Sequence, residues 1–383
     1  MIRVLFFCEF GIRNGGENSL LAVLPRLANL GIEPVVAAPS PSELAQQLEA
    51  LRIKTVAWDP QSAKDCQDPV AQRRKLVRQL IESIDPSLVH ANSLSMARLC
   101  GPVASQMGVV SLGHLRDIMN LSRQAIADVN CHQRLLAVSE ATRDWYQQRG
   151  VDSQRLHVLY NGVDLEQFSP QPTDGTLAQE LGLPVDTQIL GGIGQIGLRK
   201  GWEVLLKAMT QVRKQFPQVH LAIVGERHSQ KQEVIDYQEQ LIELARQPQL
   251  QGYIHFLGRR SDVAGLLRQW KILVHSARQE PLGRVLLEAA ASGCPVVATE
   301  VGGTREIFPG PEDGGLLVPG ESPAQLANAI CQLLATPQLC DSLGTGGRQR
   351  AIDCFDVSKS AGHLVQHYRE LAGDFSSAGK LSR

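Results

Sequence analysis

Short apolar runs recur along the chain, several of them followed by a stretch whose apolar residues return every three or four positions. RVLFFC precedes ENSLLAVLPRLANLG, and PVVAAP precedes SELAQQLEALR; SLVHAN, GVVSLGH, RLLAVS and LHVLYNG continue the series. Continuously apolar strands separated by amphipathic helices predict a parallel sheet covered on both faces, the doubly wound α/β arrangement. The pattern pauses at FSPQPTDGTLAQELGLPVDTQ, where Pro170, Pro172, Asp174, Gly175 and Pro184 supply turn chemistry, and then restarts. ILGGIG, HLAIVG, YIHFLG, ILVHSA, PVVATE and GGLLVP read as strands; WEVLLKAMTQVRKQF, DVAGLLRQW and RVLLEAAASG read as helices between them. The expectation is a first α/β domain over 1–168 and a second over 169–355. A helix near 357–372, within 356–383, is a candidate to cross back to the first domain, and the polar residues 374–383 are expected to fray. Two such halves leave a cleft, and open α/β sheets bind ligands outside the carboxyl ends of their strands.

At 383 residues, 43% hydrophobic and 20% charged, the chain has enough material for two cores. A net charge of -1, from 38 basic and 39 acidic residues, lacks the basic footprint of a nucleic-acid binder. Cys8, Cys66, Cys100, Cys131, Cys294, Cys331, Cys340 and Cys354 are scattered without C-x-x-C pairs, so they are expected to be reduced thiols, several of them core. The apolar run at the N-terminus is too brief for a signal peptide and reads as a buried first strand, and no run reaches the ~18 residues of a membrane span. The expected compartment is the cytoplasm. QRRKLVRQLIES (72–83) is a basic amphipathic helix carrying Arg73, Arg74, Lys75 and Arg78. It offers peripheral membrane contact, but residues 1–168 balance 17 basic against 17 acidic side chains, which favours a solvated face.

The densest chemistry lies in RQEPLGRVLLEAAASGCPVVATEVGGTREI (278–307). Glu280 and Glu288 stand eight positions apart across a strand-to-helix turn. A helix beginning near Gly283 puts Glu288 about 7 Å along the axis at ~1.5 Å per residue. Glu280 stays in the loop, and the backbone N–H groups of Gly283, Arg284 and Val285 face an anion at the helix start. This set suits a nucleotide sugar: one carboxylate for the sugar, one for the ribose, amides for the diphosphate.

This segment resembles the paired-glutamate signature of the family 4 retaining glycosyltransferases, members of a superfamily with two Rossmann-like domains known as GT-B. Further stretches match in family order, from NGGENSL, SLVHANS and GHLRD through LYNGVDLEQF and RKGWEVLLKAM to GCPVVATEVGGTREI, so the similarity spans nearly the whole chain. The resemblance implies a donor site in the second domain and an acceptor site in the first. Glu288 would bind the ribose, Glu280 would lie beside the donor sugar, and Leu282 and Gly283 would hold its hydroxyls through backbone. Lys200 would neutralise the diphosphate. The family usually carries an Arg five residues before that Lys; here the position is Gln195, and Arg199 is the candidate replacement. Gly15 and Gly16, after the first strand, would let backbone approach phosphates. His114 and Asp117 resemble the family's H-x-R-D variant, with a donor- or acceptor-side role. His90 and Asn92 end another strand, and Gly258 with Arg259 could reach the base; all four read equally well as structural. PEDGG (311–315) reads as a turn.

No D-x-D occurs, so a metal-bound diphosphate lacks its usual acid pair; no metal and no cofactor are expected, with the nucleotide sugar as substrate. Expected partners are that nucleotide sugar and a carbohydrate, lipid-linked or small-molecule acceptor. GIGQIG (192–197) also matches a dinucleotide fingerprint, but Glu226 lies further downstream than the usual ~20 residues and Lys200 follows at once. The same fold also serves epimerases, hydrolases and sugar phosphorylases, and a non-catalytic binder remains the third reading.

Overall fold

The computed structural model describes the backbone of residues 1–60 and 69–378 and side chains up to residue 373. The chain forms two compact units: Met1–Gly162 with the last helix, which begins at Val357, and Val163–Asp356.

The first unit holds a seven-stranded sheet: β1 (Ile2–Phe7), β2 (Ile32–Ala38), β3 (Lys54–Ala57), β4 (Leu88–Ala91), β5 (Ser111–Leu115), β6 (Arg134–Ala137) and β7 (Leu156–Val158). Every pairing is parallel and the order is β3-β2-β1-β4-β5-β6-β7. Successive side chains point to opposite faces. Leu5, Phe7, Val35 and Val89 fill one core, while Val4, Phe6, Val36 and Leu88 fill the other. Ser42, Ser93, Ser122 and Ser139 each accept a hydrogen bond from a backbone N–H three residues on, capping the helices that follow β2, β4, β5 and β6. Such caps are worth about 1 kcal/mol each.

The second unit has a six-stranded parallel sheet, β8 (Ile189–Ile193), β9 (His220–Val224), β10 (Ile254–Gly258), β11 (Ile272–His275), β12 (Val296–Thr299) and β13 (Gly315–Val318), in the order β10-β9-β8-β11-β12-β13. In each sheet the winding reverses once, between β1 and β4 and between β8 and β11. Crevices at such switch points are where open α/β sheets take ligands.

Several expectations are corrected by the structure. Strand β3 is absent from the sequence reading, because KTVA is a four-residue edge strand with both end residues exposed. The first helix is Gly15–Leu27, so Gly15 and Gly16 form its first turn instead of a free loop after β1. His114 does not follow its strand but lies inside β5: Gly108 takes a left-handed conformation that ends the helix Leu94–Met107, and the strand starts three residues later. The chain leaves the first unit at Gly162, before the turn-rich stretch near 169. Val163 already pairs with the end of the second unit, donating to the Phe355 carbonyl at 2.7 Å, and Arg348 donates to the Phe168 carbonyl at 2.8 Å. The last helix, Val357–Ala378, packs Leu364, Val365 and Tyr368 into the core containing Val4 and Phe6; of the tail 374–383, residues past Ala378 lie outside the described residues.

The basic stretch 72–83 lies in the helix Pro69–Ile84, where Arg74 pairs with Asp128 at 2.9 Å and Arg78 bonds Gln106 at 3.0 Å. Cys8, Cys100, Cys294, Cys331 and Cys340 are buried free thiols, whereas Cys66 lies outside the described residues. Among the described residues no helix is long and apolar enough to cross a membrane.

Candidate functional site

In the second unit the loops after β8 and β11 flank the switch point, and they carry the chemistry. After β8 the chain runs through Gln195 to a single 3-10 turn, Leu198–Lys200, closed by Gly201. Gly201 has φ +59, and a Cβ there would meet the Ser276 carbonyl oxygen at 2.3 Å, so only glycine lets this loop lie against the one after β11. Ser276 Oγ donates to the Lys200 carbonyl at 3.1 Å, Arg278 N–H to the Arg199 carbonyl at 2.8 Å, and Trp202 Nε1 to the Gln195 carbonyl at 3.0 Å.

These ties set Lys200 against Glu280. The ammonium lies 2.6 Å from Glu280 Oε2, and His275 Nε2 lies 3.0 Å from the same oxygen; both partners of the ion pair are about nine-tenths buried. Burial pushes the Glu280 carboxyl up, but Lys200, the His275 hydrogen bond and Arg199 outweigh it and hold it well below the usual carboxylate range. Arg199 Nη1 itself donates to the Gln279 carbonyl at 3.3 Å, so this side chain reaches the Glu280 loop. Gln195, the departure from the family pattern, bonds His228 through its side chain at 3.0 Å.

Glu288 lies in the helix Arg284–Ala291, which starts from Gly283 in a left-handed conformation at φ +108. The hydrogen-bond ladder begins with Leu286 donating to the Gly283 carbonyl at 3.0 Å, so Gly283, Arg284 and Val285 precede it at the positive end of the helix dipole. Arg284 Nε pairs with Glu288 Oε1 at 2.7 Å, one turn apart. Leu282 is buried just before the turn. Lys200, Glu280, the helix start and Glu288 thus occupy the carboxyl edge of β8 and β11. The arrangement couples an anion-binding helix end to a buried cation and two carboxylates, which suits holding a phosphorylated, hydroxyl-rich molecule. Gly258 ends β10 at the sheet's far edge, with Arg259 after it.

In the first unit the corresponding edge carries Gly15 and Gly16 after β1, Asn92 after β4 and Asp117 after β5. Asp117 is exposed, and its carbonyl accepts from Tyr146 Oη at 2.9 Å. His114 lies deeper, 3% exposed, stacked on His90 at 5.5 Å between centroids, with no hydrogen-bond partner at either ring nitrogen among the described residues. His90 bonds Tyr368 Oη of the last helix at 2.6 Å. Burial, then the Arg116 charge, holds both imidazoles well below their usual range, so they are neutral.

Sequence reasoning missed His275 and Arg116. The signal for His275 was its place at the end of the ILVHSA run, five positions before Glu280; for Arg116 it was the arginine inside H-x-R-D itself.

The model of glycosyl transferases group 1 matches residues 174–350, and that of Glycosyltransferase Family 4 matches residues 13–167. D-inositol 3-phosphate glycosyltransferase of Corynebacterium jeikeium (strain K411) is 32% identical over 56% of this chain and 52% of its own length. Spore coat protein SA of Bacillus subtilis (strain 168) is 30% identical over 56% of this chain and 59% of its own length. The chain thus spans about half the length of the first such relatives, though D-inositol 3-phosphate glycosyltransferase of Corynebacterium glutamicum (strain R) aligns over 96% of this chain and 94% of its own length at 26% identity. Among solved structures, Anabaena HepE in complex with UDP-glucose superposes with a TM-score of 0.84 at 23% identity, covering 97% of this chain and 100% of that one, a likeness of fold. The two family models together account for both units and for the loops that carry Gly15, Lys200, Glu280 and Glu288, and the chain belongs to the family 4, group 1 glycosyltransferases.

Proposed function

We propose that this protein is a retaining, metal-independent glycosyltransferase that moves a sugar from a nucleoside-diphosphate sugar to a hydroxyl of a carbohydrate, lipid-linked or small-molecule acceptor. The observation that carries this is the Lys200–Glu280–His275 cluster beside the helix start at Gly283. Glu288 takes the ribose hydroxyls, while Leu282 and Gly283 hold the sugar beside Glu280. Lys200 and the N–H groups of Gly283, Arg284 and Val285 meet the diphosphate, and both stabilise the charge that grows as the sugar–phosphate bond breaks. Glu280 is anionic and held from two sides, which suits orienting the sugar more than attacking it. The acceptor oxygen bonds the anomeric carbon on the face the diphosphate leaves, and its proton passes to a departing phosphate oxygen. Arg199 supplies the second cation in place of the arginine that Gln195 replaces. On the family resemblance, Gly15 and Gly16 approach phosphates and Asp117 takes a donor- or acceptor-side role; His114 is carried over with the same role, its ring buried within the first unit.

The test is thermal stabilisation of wild type and Glu288→Ala by UDP, GDP, ADP and NAD, because a ligand that binds only the folded state raises the melting temperature. UDP comes first, since a protein of the same fold, HepE, holds UDP-glucose. Stabilisation by one nucleoside diphosphate that Glu288→Ala abolishes supports the donor site. Stabilisation by NAD alone overturns it in favour of a dehydrogenase. Silence with all four favours a non-catalytic protein.

A further inference from the structure

Arg116 follows β5 directly; two separate segments bond its guanidinium and a third lies against its stem. Nε donates to the Asn92 carbonyl at 3.0 Å, Nη2 to Asn92 Oδ1 at 2.9 Å, and Nη1 to Asn161 Oδ1 at 2.7 Å. Its aliphatic stem lies over the start of the first helix: a Cβ on Gly16 would come within 3.1 Å of Arg116 Cδ. Asn92 Nδ2 reaches the Gly16 carbonyl at 3.5 Å from the other side. The Arg116 charge also bears on Glu17, the buried acid of that same helical turn, whose carboxyl is raised to about 7: burial pushes it up, and backbone amides and then Arg116 draw it part of the way back. Asn161 is the neighbour of Gly162, where the first unit ends.

A planar fork with donors on both edges can satisfy Asn92 twice and Asn161 at once, whereas a lysine holds its three donors at one point and cannot reproduce that two-edged geometry. We propose that Arg116 is a positioning residue: it clamps the Gly15–Glu17 turn to the end of β4 and to Asn161, so that the turn meets the substrate's phosphates in one fixed conformation. The phosphate part of this statement rests on the nucleotide-sugar reading above; the clamp does not.

Hydrogen exchange of the intact protein, read peptide by peptide, separates the two. Asn18, whose N–H donates to the Asn14 carbonyl at 2.9 Å, reports whether the first helical turn stays closed, along with Ser19 and Leu20 after it. In ligand-free Arg116→Lys these amides are expected to exchange about tenfold faster than in wild type, with β1 and β4 unchanged. Asn161→Ala, which keeps both bonds to Asn92, is expected to give a smaller acceleration at the same amides. UDP-glucose is expected to slow this exchange in wild type and to lose that effect in Arg116→Lys. Unchanged exchange at 18–20 in Arg116→Lys overturns the clamp, as does acceleration spread equally over β1 and β4, which marks an arginine that merely stabilises the whole unit. If Arg116→Lys does not fold, Asn161→Ala alone decides by the same criterion. Should UDP-glucose leave wild-type exchange unaltered while the ligand-free difference persists, the clamp stands and the nucleotide-sugar reading is what fails.

Discussion

Replacing Lys200 by Met removes the ammonium from a pair 2.6 Å apart whose partners are only 12% and 10% exposed. Glu280 then keeps the His275 hydrogen bond at 3.0 Å and the weaker influence of the Arg199 charge, but no ion-pair partner for its own charge inside the second unit. Breaking such a buried pair costs roughly 3–5 kcal/mol, which at about 2–4 °C per kcal/mol for a unit of this size lowers the melting temperature by about 6–20 °C. Lys200→Met/Glu280→Gln, which deletes both charges, is expected to recover most of that loss, because the penalty belongs to the orphaned carboxylate and not to the missing attraction. Calorimetry of the four proteins gives the coupling directly. Its pH dependence has a fixed sign. The folded Glu280 sits below the unfolded-state value of 4.5, so its contribution is complete above that pH and is lost as pH falls through the folded value. Without Lys200, burial raises the carboxyl instead. The deficit of Lys200→Met relative to wild type is therefore largest at neutral pH and shrinks in acid. A loss under about 1 kcal/mol, strict additivity of the two substitutions, or a deficit independent of pH would refute the reasoning.

Four shorter predictions accompany it. Glu288→Ala weakens nucleoside-diphosphate binding, whereas Glu280→Ala chiefly lowers turnover; comparing the apparent affinity and rate of the two variants checks the division. Gly302→Ala, at φ +53 with a Cβ that would meet the Glu280 carbonyl oxygen at 1.9 Å, loses about 3 kcal/mol or more in urea titration and displaces Glu280, abolishing activity with the stability. His114→Phe removes two unpaired buried nitrogens and raises stability by about 1–2 kcal/mol; since a buried neutral His loses stability as pH falls below its unfolded value of 6.5, the gain grows in acid, and a loss instead would mean that a bound group satisfies the ring. Transfer activity, assayed with EDTA, is expected to stay within about twofold of the untreated enzyme, because the proposed function gives Lys200 and the helix start the work of a metal; abolition reversed by magnesium would end the metal-independent reading.

Both sheets were legible because buried parallel strands must be continuously apolar, and VLFF, VVAA, ILVH and PVVAT announce themselves. KTVA did not, since an edge strand needs to bury little. The placement of Glu280 and Glu288 was legible for a local reason: both lie in one short stretch, Glu280 in the loop before the helix start and Glu288 one turn after Arg284. His275 and Arg116 escaped because their meaning is tertiary. His275 looks like one more strand residue until folding brings its Nε2 to Glu280, and Arg116 gains its partners from positions 92 and 161. His114 was legible in part: the run GVVSLGH put it near a strand end, where it lies, but its burial depends on the elements that fold over β5.

The discontinuity of the first unit has a consequence for biosynthesis. Tyr368, Leu364 and Val365 complete a core whose other members, Val4, Phe6 and Val36 among them, leave the ribosome before any of the second unit is made. At ~5–20 residues per second, the intervening second unit, Val163–Asp356, takes roughly 10–40 s to synthesise. Throughout that interval one face of the earlier sheet, covered by the helices Gly15–Leu27 and Glu43–Ala50, waits for the last helix that completes its core, while the later unit, continuous in sequence, can close as soon as it emerges. The order of maturation is thus inverted relative to the order of translation, and the nascent chain offers chaperones an apolar surface until its last helix arrives.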